Sequence, residues 1–160
     1  MKEIKNNIEK AMFAAGCFWG VQAAFDKFNG IIKTTIGYTG GNFKNPSYED
    51  VCSDETGHAE AILIEYNPKI ISYEKLLEIF WKIHDPTQLN RQGPDIGSQY
   101  ISGIFYFNEK QKKIALNSMK KQEKLIKNKI VTEIKKANKF YPAEDYHQKY
   151  YLTHPVVCHI

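Results

Sequence analysis

The tightest constraint on this chain is Gly16-Cys17-Phe18-Trp19-Gly20, set between an apolar run over residues 11–15 and an apolar-periodic stretch over residues 21–28. The run is short and continuous, which predicts a buried strand. The stretch after it has the spacing of a helix. A cysteine between two glycines therefore falls at a strand-to-helix turn. Unpaired backbone N–H groups and the positive end of the helix dipole favour a thiolate there. Gly16 and Gly20 let a ligand and the backbone approach closely. Phe18 and Trp19 supply an apolar wall beside the sulfur. Free cysteines are more often small buried core residues, and the flanking glycines and the turn argue against that role here.

The rest of the chain alternates apolar runs and helical patterns. Strands are predicted over 11–15, 31–38, 58–66, 101–107 and 130–136, and helices over 18–28, 73–84 and 109–127. Ser72 suits a helix N-cap, Asn108 with Gln111 resembles a capping box, and Gly30 suits a helix C′ position. The order β-α-β-β-α-β followed by one more α-β is that of a split βαβ unit. The expected fold is α+β: a two-layer ferredoxin-like sandwich with an extra α-β unit and an irregular C-terminal tail wrapping the domain. No repeat or linker divides the chain, so residues 1–160 read as one domain, with a core over about 11–140 and a tail over about 141–160. Loops 39–57 and 85–100 are long for such a chain and rich in Gly, Pro, Asn and Tyr, which suits ordered loops that carry a site.

Composition excludes several classes. Hydrophobic content of 42% and charged content of 25% belong to an ordinary soluble protein. No apolar stretch approaches a membrane helix, and residues 1–10 lack a signal-peptide core, so a cytoplasmic protein is expected. The net charge of +4 comes mainly from lysines over residues 110–139. They read as the solvated face of an amphipathic helix rather than a nucleic-acid patch, since no aromatics interleave with them. Three cysteines, Cys17, Cys52 and Cys158, with no C-x-x-C, exclude a disulfide framework and a four-cysteine zinc site.

Other residue types leave choices open. Glu60, in the apolar company of Ala61, Ile62 and Ile64, is either a buried acid with a raised pKa or a carboxylate at a strand edge. His58 shares a strand face with Glu60 and could pair with Cys17, although a satisfied structural histidine is commoner. His147, His154, Cys158 and His159 are zinc-ligand types without zinc-site spacing.

The string GCFWG is followed by Gly37-Tyr38-Thr39-Gly40-Gly41, Asn45-Pro46-Ser47-Tyr48 and Thr56-Gly57-His58-Ala59-Glu60. Farther on come His84-Asp85-Pro86-Thr87-Gln88, residues 91–100 (RQGPDIGSQY) and Ala143-Glu144-Asp145-Tyr146-His147-Gln148. In this order and spacing, over about residues 12–155, the chain resembles the A-type peptide methionine sulfoxide reductases.

The resemblance implies a thiol-dependent reduction of methionine S-sulfoxide, in proteins and as the free amino acid. Cys17 is then the nucleophile and Glu60 the general acid. Phe18 and Trp19 hold the substrate methyl, Tyr48 and Tyr100 hydrogen-bond the sulfoxide oxygen, and Asp95 is a polar anchor. Cys17 becomes a sulfenic acid, a second thiol condenses with it, and thioredoxin reduces the disulfide. No bound cofactor and no metal are implied, and the expected protein is a monomer that contacts neither nucleic acid nor membrane. Many family members end in a glycine-rich tail with two cysteines. Here Pro155 is followed by Val156-Val157-Cys158-His159-Ile160. Cys158 is thus the expected resolving thiol, with Cys52 second. Two other classes remain open: a cysteine hydrolase built on Cys17 and His58, and a non-enzymatic module that binds oxidised methionine.

Overall fold

The computed structural model describes residues 8–53 and 56–154. Strand β1 (Glu9–Ala15) leads into helix α1 (Phe18–Phe25) and strand β2 (Ile31–Thr39). A short helix α2 (Tyr48–Cys52) precedes β3 (Ala59–Tyr66) and α3 (Tyr73–Lys82). A two-stranded ribbon, β4 (Arg91–Gln92) with β5 (Asp95–Ile96), and a 3₁₀ turn (Ser98–Tyr100) fill the second long loop. Strand β6 (Ser102–Tyr106), helix α4 (Glu109–Leu125) and strands β7 (Glu133–Lys136) and β8 (Phe140–Pro142) follow, and two more 3₁₀ turns end the described chain.

Six strands form one mixed sheet in the order β7-β6-β1-β3-β2-β8, in which only β6 and β7 pair in parallel. Strands β1 and β2, joined through α1, run parallel with β3 between them. Strands β3 and β6, joined through α3, bracket β1 in the same way. The class is mixed α+β, as the alternation of elements leads one to expect.

Strand alternation decides which side chains reach the helices. Ala11, Phe13 and Ala15 of β1 join Ile36 and Tyr38 of β2, Ile62 and Ile64 of β3 and Ile104 of β6 in the main core with α1, α3 and part of α4. Met12 and Ala14 face the other way, into a smaller cluster with Ala59 and Phe105. Phe13 is fully buried against Phe25, Tyr73 and Phe80, and burial of such a ring contributes roughly 1.5–3 kcal/mol. Position 60 shares the parity of Ile62 and Ile64, so Glu60 points to the helix side.

Ser72 caps α3 by accepting the Lys75 N–H, as expected. Asn108 caps α4 through the Gln111 N–H, but the Gln111 side chain does not close a capping box. It accepts from the Phe107 N–H and donates to the Lys10 carbonyl, tying α4 to β1. Helix α1 stops at Phe25, so Gly30 lies beyond its C′ position and serves the turn into β2 with φ +97°. No helix of the described residues is long and apolar enough to cross a membrane.

The tail expected to be irregular begins as regular structure. Its start, β8, adds a strand to the β2 edge, so the boundary between core and tail expected near residue 140 falls inside the sheet. Beyond it the anchors are polar. Gln148 bonds both backbone groups of Ile36, and Lys149 and Tyr151 both reach Asp26 on α1. Tyr146 and Leu152 are exposed.

Candidate active site

Strand β1 ends in a turn that only glycine fits well. Gly16 has φ +91°, and a Cβ there would come within 2.7 Å of the Gln92 side chain. Gln92 is itself fixed to loop 85–100, accepting the Asp85 N–H at 2.9 Å and donating to the Asp85 carbonyl at 2.6 Å. The second long loop is thereby pressed against the turn that carries the thiol. Cys17 is the N-cap residue of α1, half-buried, and its carbonyl accepts the Val21 N–H at 3.3 Å. The first turn of α1 contains no acidic side chain, so its N–H groups look elsewhere for acceptors.

One of them finds Glu60. The Phe18 N–H donates to Glu60 Oε1 at 3.1 Å across the core. Glu60 is 1% exposed. Burial pushes its carboxyl well above the usual carboxylate range, the negative charges of Cys17 and Asp95 push it further, and the Phe18 N–H opposes them. Burial of this kind favours the protonated form.

Two phenols face the same place from the two long loops. Tyr48 opens α2, whose N-cap Ser47 and N3 residue Asp50 form a reciprocal capping box. The ring of Tyr48 stacks near Trp19 at 6.0 Å and Phe18 at 6.3 Å. Tyr100 ends the 3₁₀ turn after β5. Burial raises both phenols, and a negative charge on Glu60 raises them again, so both stay protonated as hydrogen-bond donors. Tyr100 also feels Cys52, Asp95 and Cys17, and Asp95 lies half-buried on β5. The seven residues Cys17, Phe18, Trp19, Tyr48, Glu60, Asp95 and Tyr100, drawn from four separate stretches of sequence, thus meet at one place.

Phe18 is buried in the main core, whereas Trp19 is half-buried and stacks with two rings, Tyr48 at 6.0 Å and Tyr150 at 4.3 Å. Its indole N–H donates to His147 Nδ1 at 3.0 Å.

Some candidates separate from this group. His58 is buried with both ring nitrogens engaged: Nδ1 accepts the Gly41 N–H at 3.1 Å and Nε2 donates to the Phe43 carbonyl at 2.6 Å. It holds the first long loop and has no nitrogen left for a thiol, which removes the basis for a hydrolase dyad. His147 and His154 bond or stack within the aromatic cluster, and among the described residues no three His, Cys, Asp or Glu side chains converge as a metal site. Cys158 lies outside the described residues.

Other residues lie around these seven. Cys52, at the rim, takes a hydrogen bond from the Tyr48 phenol. Burial raises its thiol, and the Glu60 and Glu49 charges do likewise, against the pull of that bond. Glu144 accepts from the Tyr48 N–H at 3.0 Å and the Tyr38 phenol at 3.1 Å. The signal for α2 was present in Ser47-x-x-Asp50. Glu144 had only its place in the string of residues 143–148, and His147 had that place and its residue type as a possible zinc ligand.

A thiol at a helix start, beside a buried carboxyl and an aromatic wall, belongs with the oxidoreductases that work on sulfur. The model of the family described as peptide methionine sulfoxide reductase matches residues 9–160, and the chain belongs to that family. It is 57% identical over 146 residues to the peptide methionine sulfoxide reductase MsrA of Methanosarcina acetivorans, covering 90% of this chain and 78% of that one. It is also similar to the crystal structure of Mxr1 from Saccharomyces cerevisiae in reduced form, with TM-score 0.90 and 35% identity over 94% of this chain and 87% of that one. The structure of Mxr1 in complex with Trx2 matches with TM-score 0.65 and 26% identity over 91% and 86% of the two chains.

Proposed function

We propose that the protein reduces methionine S-sulfoxide, protein-bound and free, to methionine, and so repairs oxidised proteins. The observation that carries this reading is the buried Glu60, whose carboxyl burial raises and whose Oε1 is tied to the N–H of the residue that follows Cys17. A sulfoxide oxygen is a poor leaving group unless it is protonated, and a carboxyl kept neutral at working pH is suited to supply the proton.

The proposed steps are these. The substrate methyl rests against Phe18 and Trp19, and its oxygen faces the phenols of Tyr48 and Tyr100. The Cys17 thiolate attacks the sulfoxide sulfur as Glu60 gives its proton to the oxygen. The products are methionine, a Cys17 sulfenic acid and a Glu60 carboxylate. The phenols stabilise charge developing on the oxygen, and Asp95 anchors the polar end of the substrate. The sulfenic acid then condenses with the Cys158 thiol, releasing water, and thioredoxin reduces the Cys17–Cys158 disulfide. The Mxr1 complex with Trx2 supports thioredoxin as the reductant. We further read β6-β1-β3-β2 as a ferredoxin-like split βαβ unit, and residues 1–160 as a single domain with no bound cofactor.

The test is a single-turnover assay of Cys17→Ser with a methionine S-sulfoxide peptide. Loss of all methionine formation is expected, and residual reduction would overturn the assignment of Cys17. An enzyme of another class with the same thiol would instead be acylated in a burst by an ester. A binding module would hold the sulfoxide peptide and leave the thiol count unchanged.

A further inference from the structure

His147 is 2% exposed and lies behind the aromatic wall, with ring centroids 4.5 Å from Tyr48, 5.5 Å from Trp19 and 5.7 Å from Phe18. Its Nδ1 receives the Trp19 indole N–H at 3.0 Å. A nitrogen that accepts carries no proton, so the neutral ring must hold its proton on Nε2. That Nε2 is buried without a hydrogen-bond partner, and the nearest carboxylate oxygen, on Glu144, is 4.0 Å away. The neighbours from α1 are the uncharged Phe18 and Trp19; α2 contributes the Tyr48 phenol, and the turn of His147 itself contributes Glu144 and Tyr146. A buried donor left unpaired is costly, and replacing the ring by an apolar one would avoid that cost. The gain lies at the other nitrogen.

Stacking of Trp19 with Tyr48 and Tyr150 fixes the plane of the indole but not its orientation within that plane. A single directed hydrogen bond at Nε1 fixes the orientation. We propose that His147 is a positioning residue, which holds the indole of Trp19 in one orientation by accepting its N–H and so presents a constant apolar face to the substrate. The proposal rests on the reading of Trp19 as a substrate wall. The wall touches the bound methyl in the ground state and the transition state alike, so loosening it weakens binding more than chemistry.

The chain has two tryptophans, and Trp81 donates its indole N–H to Ser118 Oγ at 2.8 Å, far from the site. In protein labelled with ¹⁵N-tryptophan the Trp81 cross-peak therefore reports the fold and the Trp19 cross-peak the bond to His147. Two variants separate packing from acceptance. His147→Phe fills the space without an acceptor, and His147→Asn offers Oδ1 near the position of Nδ1. In His147→Phe the Trp19 indole proton should move upfield with Trp81 unmoved. KM for a sulfoxide peptide should rise about 3–10-fold, the worth of one hydrogen bond, with kcat close to wild type. His147→Asn should restore both the peak position and KM. An unmoved Trp19 peak in His147→Phe, or no recovery in folded His147→Asn, would overturn the proposal. So would a ¹⁵N-histidine spectrum placing the His147 proton on Nδ1. If His147→Phe does not fold, Trp19→Phe in the wild-type background removes the donor instead, and an unchanged KM there would count against the idea. The spectral readouts need no turnover. If they hold while no sulfoxide is reduced, the proposed function fails and the role of His147 stands.

Discussion

Glu60 Oε1 accepts the backbone N–H of Phe18 at 3.1 Å, one residue past the thiol. This bond distinguishes the two carboxyl oxygens. Oε1 is occupied as an acceptor, which leaves Oε2 to carry the proton. It also couples strand to helix: β3 carries Glu60, the N-cap of α1 is Cys17, and the bond sets their spacing directly rather than through intervening side chains. Burial and the Cys17 charge raise Glu60 while the same Phe18 N–H lowers it. The bond therefore positions the acid at some cost to its protonation, and burial outweighs that cost.

Glu60→Gln keeps the shape and can donate a hydrogen bond but cannot release a proton. Single-turnover reduction should slow by roughly 10²–10⁴-fold, the usual worth of general acid catalysis. Because the folded pKa is raised, the acid form is present at low pH and is lost as pH rises through that value. Wild type should lose rate on the alkaline side, and Glu60→Gln should lack that limb. Stability follows the same sign: it is full below the unfolded carboxyl pKa and declines at higher pH, so Glu60→Gln should gain on wild type in Tm as pH rises. A rate within a few-fold of wild type at neutral pH would show that Glu60 is not the acid.

Epimer choice follows from the positions of the walls. In the proposed binding mode Phe18 and Trp19 take the substrate methyl, and Tyr48, Tyr100 and Glu60 take its oxygen. With the methyl against the rings and the oxygen toward the hydroxyls, attack by Cys17 selects one hand at sulfur. Separated S and R epimers assayed by methionine release should differ strongly, with S the substrate. Equal turnover would contradict this arrangement.

His84 offers a test of stability away from the site. Its Nδ1 donates to the Phe80 carbonyl at 2.6 Å, so Nε2 accepts from the Ser102 hydroxyl at 2.7 Å, and Ser102 in turn receives the Thr132 hydroxyl at 2.7 Å. Burial lowers its pKa from 6.5 to about 4. The unfolded chain then binds a proton that the folded chain does not, so stability is full above the unfolded value and falls as pH drops toward the folded one. The loss is on the order of 3 kcal/mol between those limits. Urea unfolding from neutral pH down to about pH 4 should show this slope, and His84→Asn should flatten it while lowering stability at neutral pH. An unchanged slope in His84→Asn would refute the assignment.

The parts of this molecule legible in its sequence are those where periodicity is long or a turn is strongly specified. The strand–turn–helix around Cys17 and the capped start of α3 are such places. Short elements carried no period to read: α2 has five residues and β8 has three. The burial of Glu60 was undecidable because Ala59, Glu60, Ala61 and Ile62 are all buried, so alternation marks no exposed side. The meeting of Tyr48, Asp95 and Tyr100 at Cys17 came only from resemblance, because contacts across dozens of residues leave no local pattern. The site role of His147 was missed for the same reason, since its partner Trp19 is 128 residues away in sequence.

The recycling step depends on where the tail leads. Trp19 stacks on Tyr150 at 4.3 Å, and Tyr150 stacks on His154 at 4.0 Å. The described chain therefore ends on a ring ladder that starts two residues from Cys17. Four residues of extended chain reach at most about 14 Å, so Cys158 has the range to approach the site, and a disulfide needs Cα atoms within about 7 Å. Cys52 competes for the role, because its sulfur bonds the Tyr48 phenol at the rim. Burial and the neighbouring carboxylates raise its thiol against the pull of that bond, which favours the protonated form and makes it slow as an attacking group. Cys158→Ser should still reduce one equivalent of methionine sulfoxide per chain, then stall as a Cys17 sulfenic acid and lose most thioredoxin-dependent turnover. Cys52→Ser should leave the cycle nearly intact. Disulfide mapping by mass spectrometry after adding substrate without reductant decides between them. A Cys17–Cys158 bond is expected. A Cys17–Cys52 bond, or no bond within the chain, would assign the resolving thiol elsewhere and leave the role of Cys17 untouched.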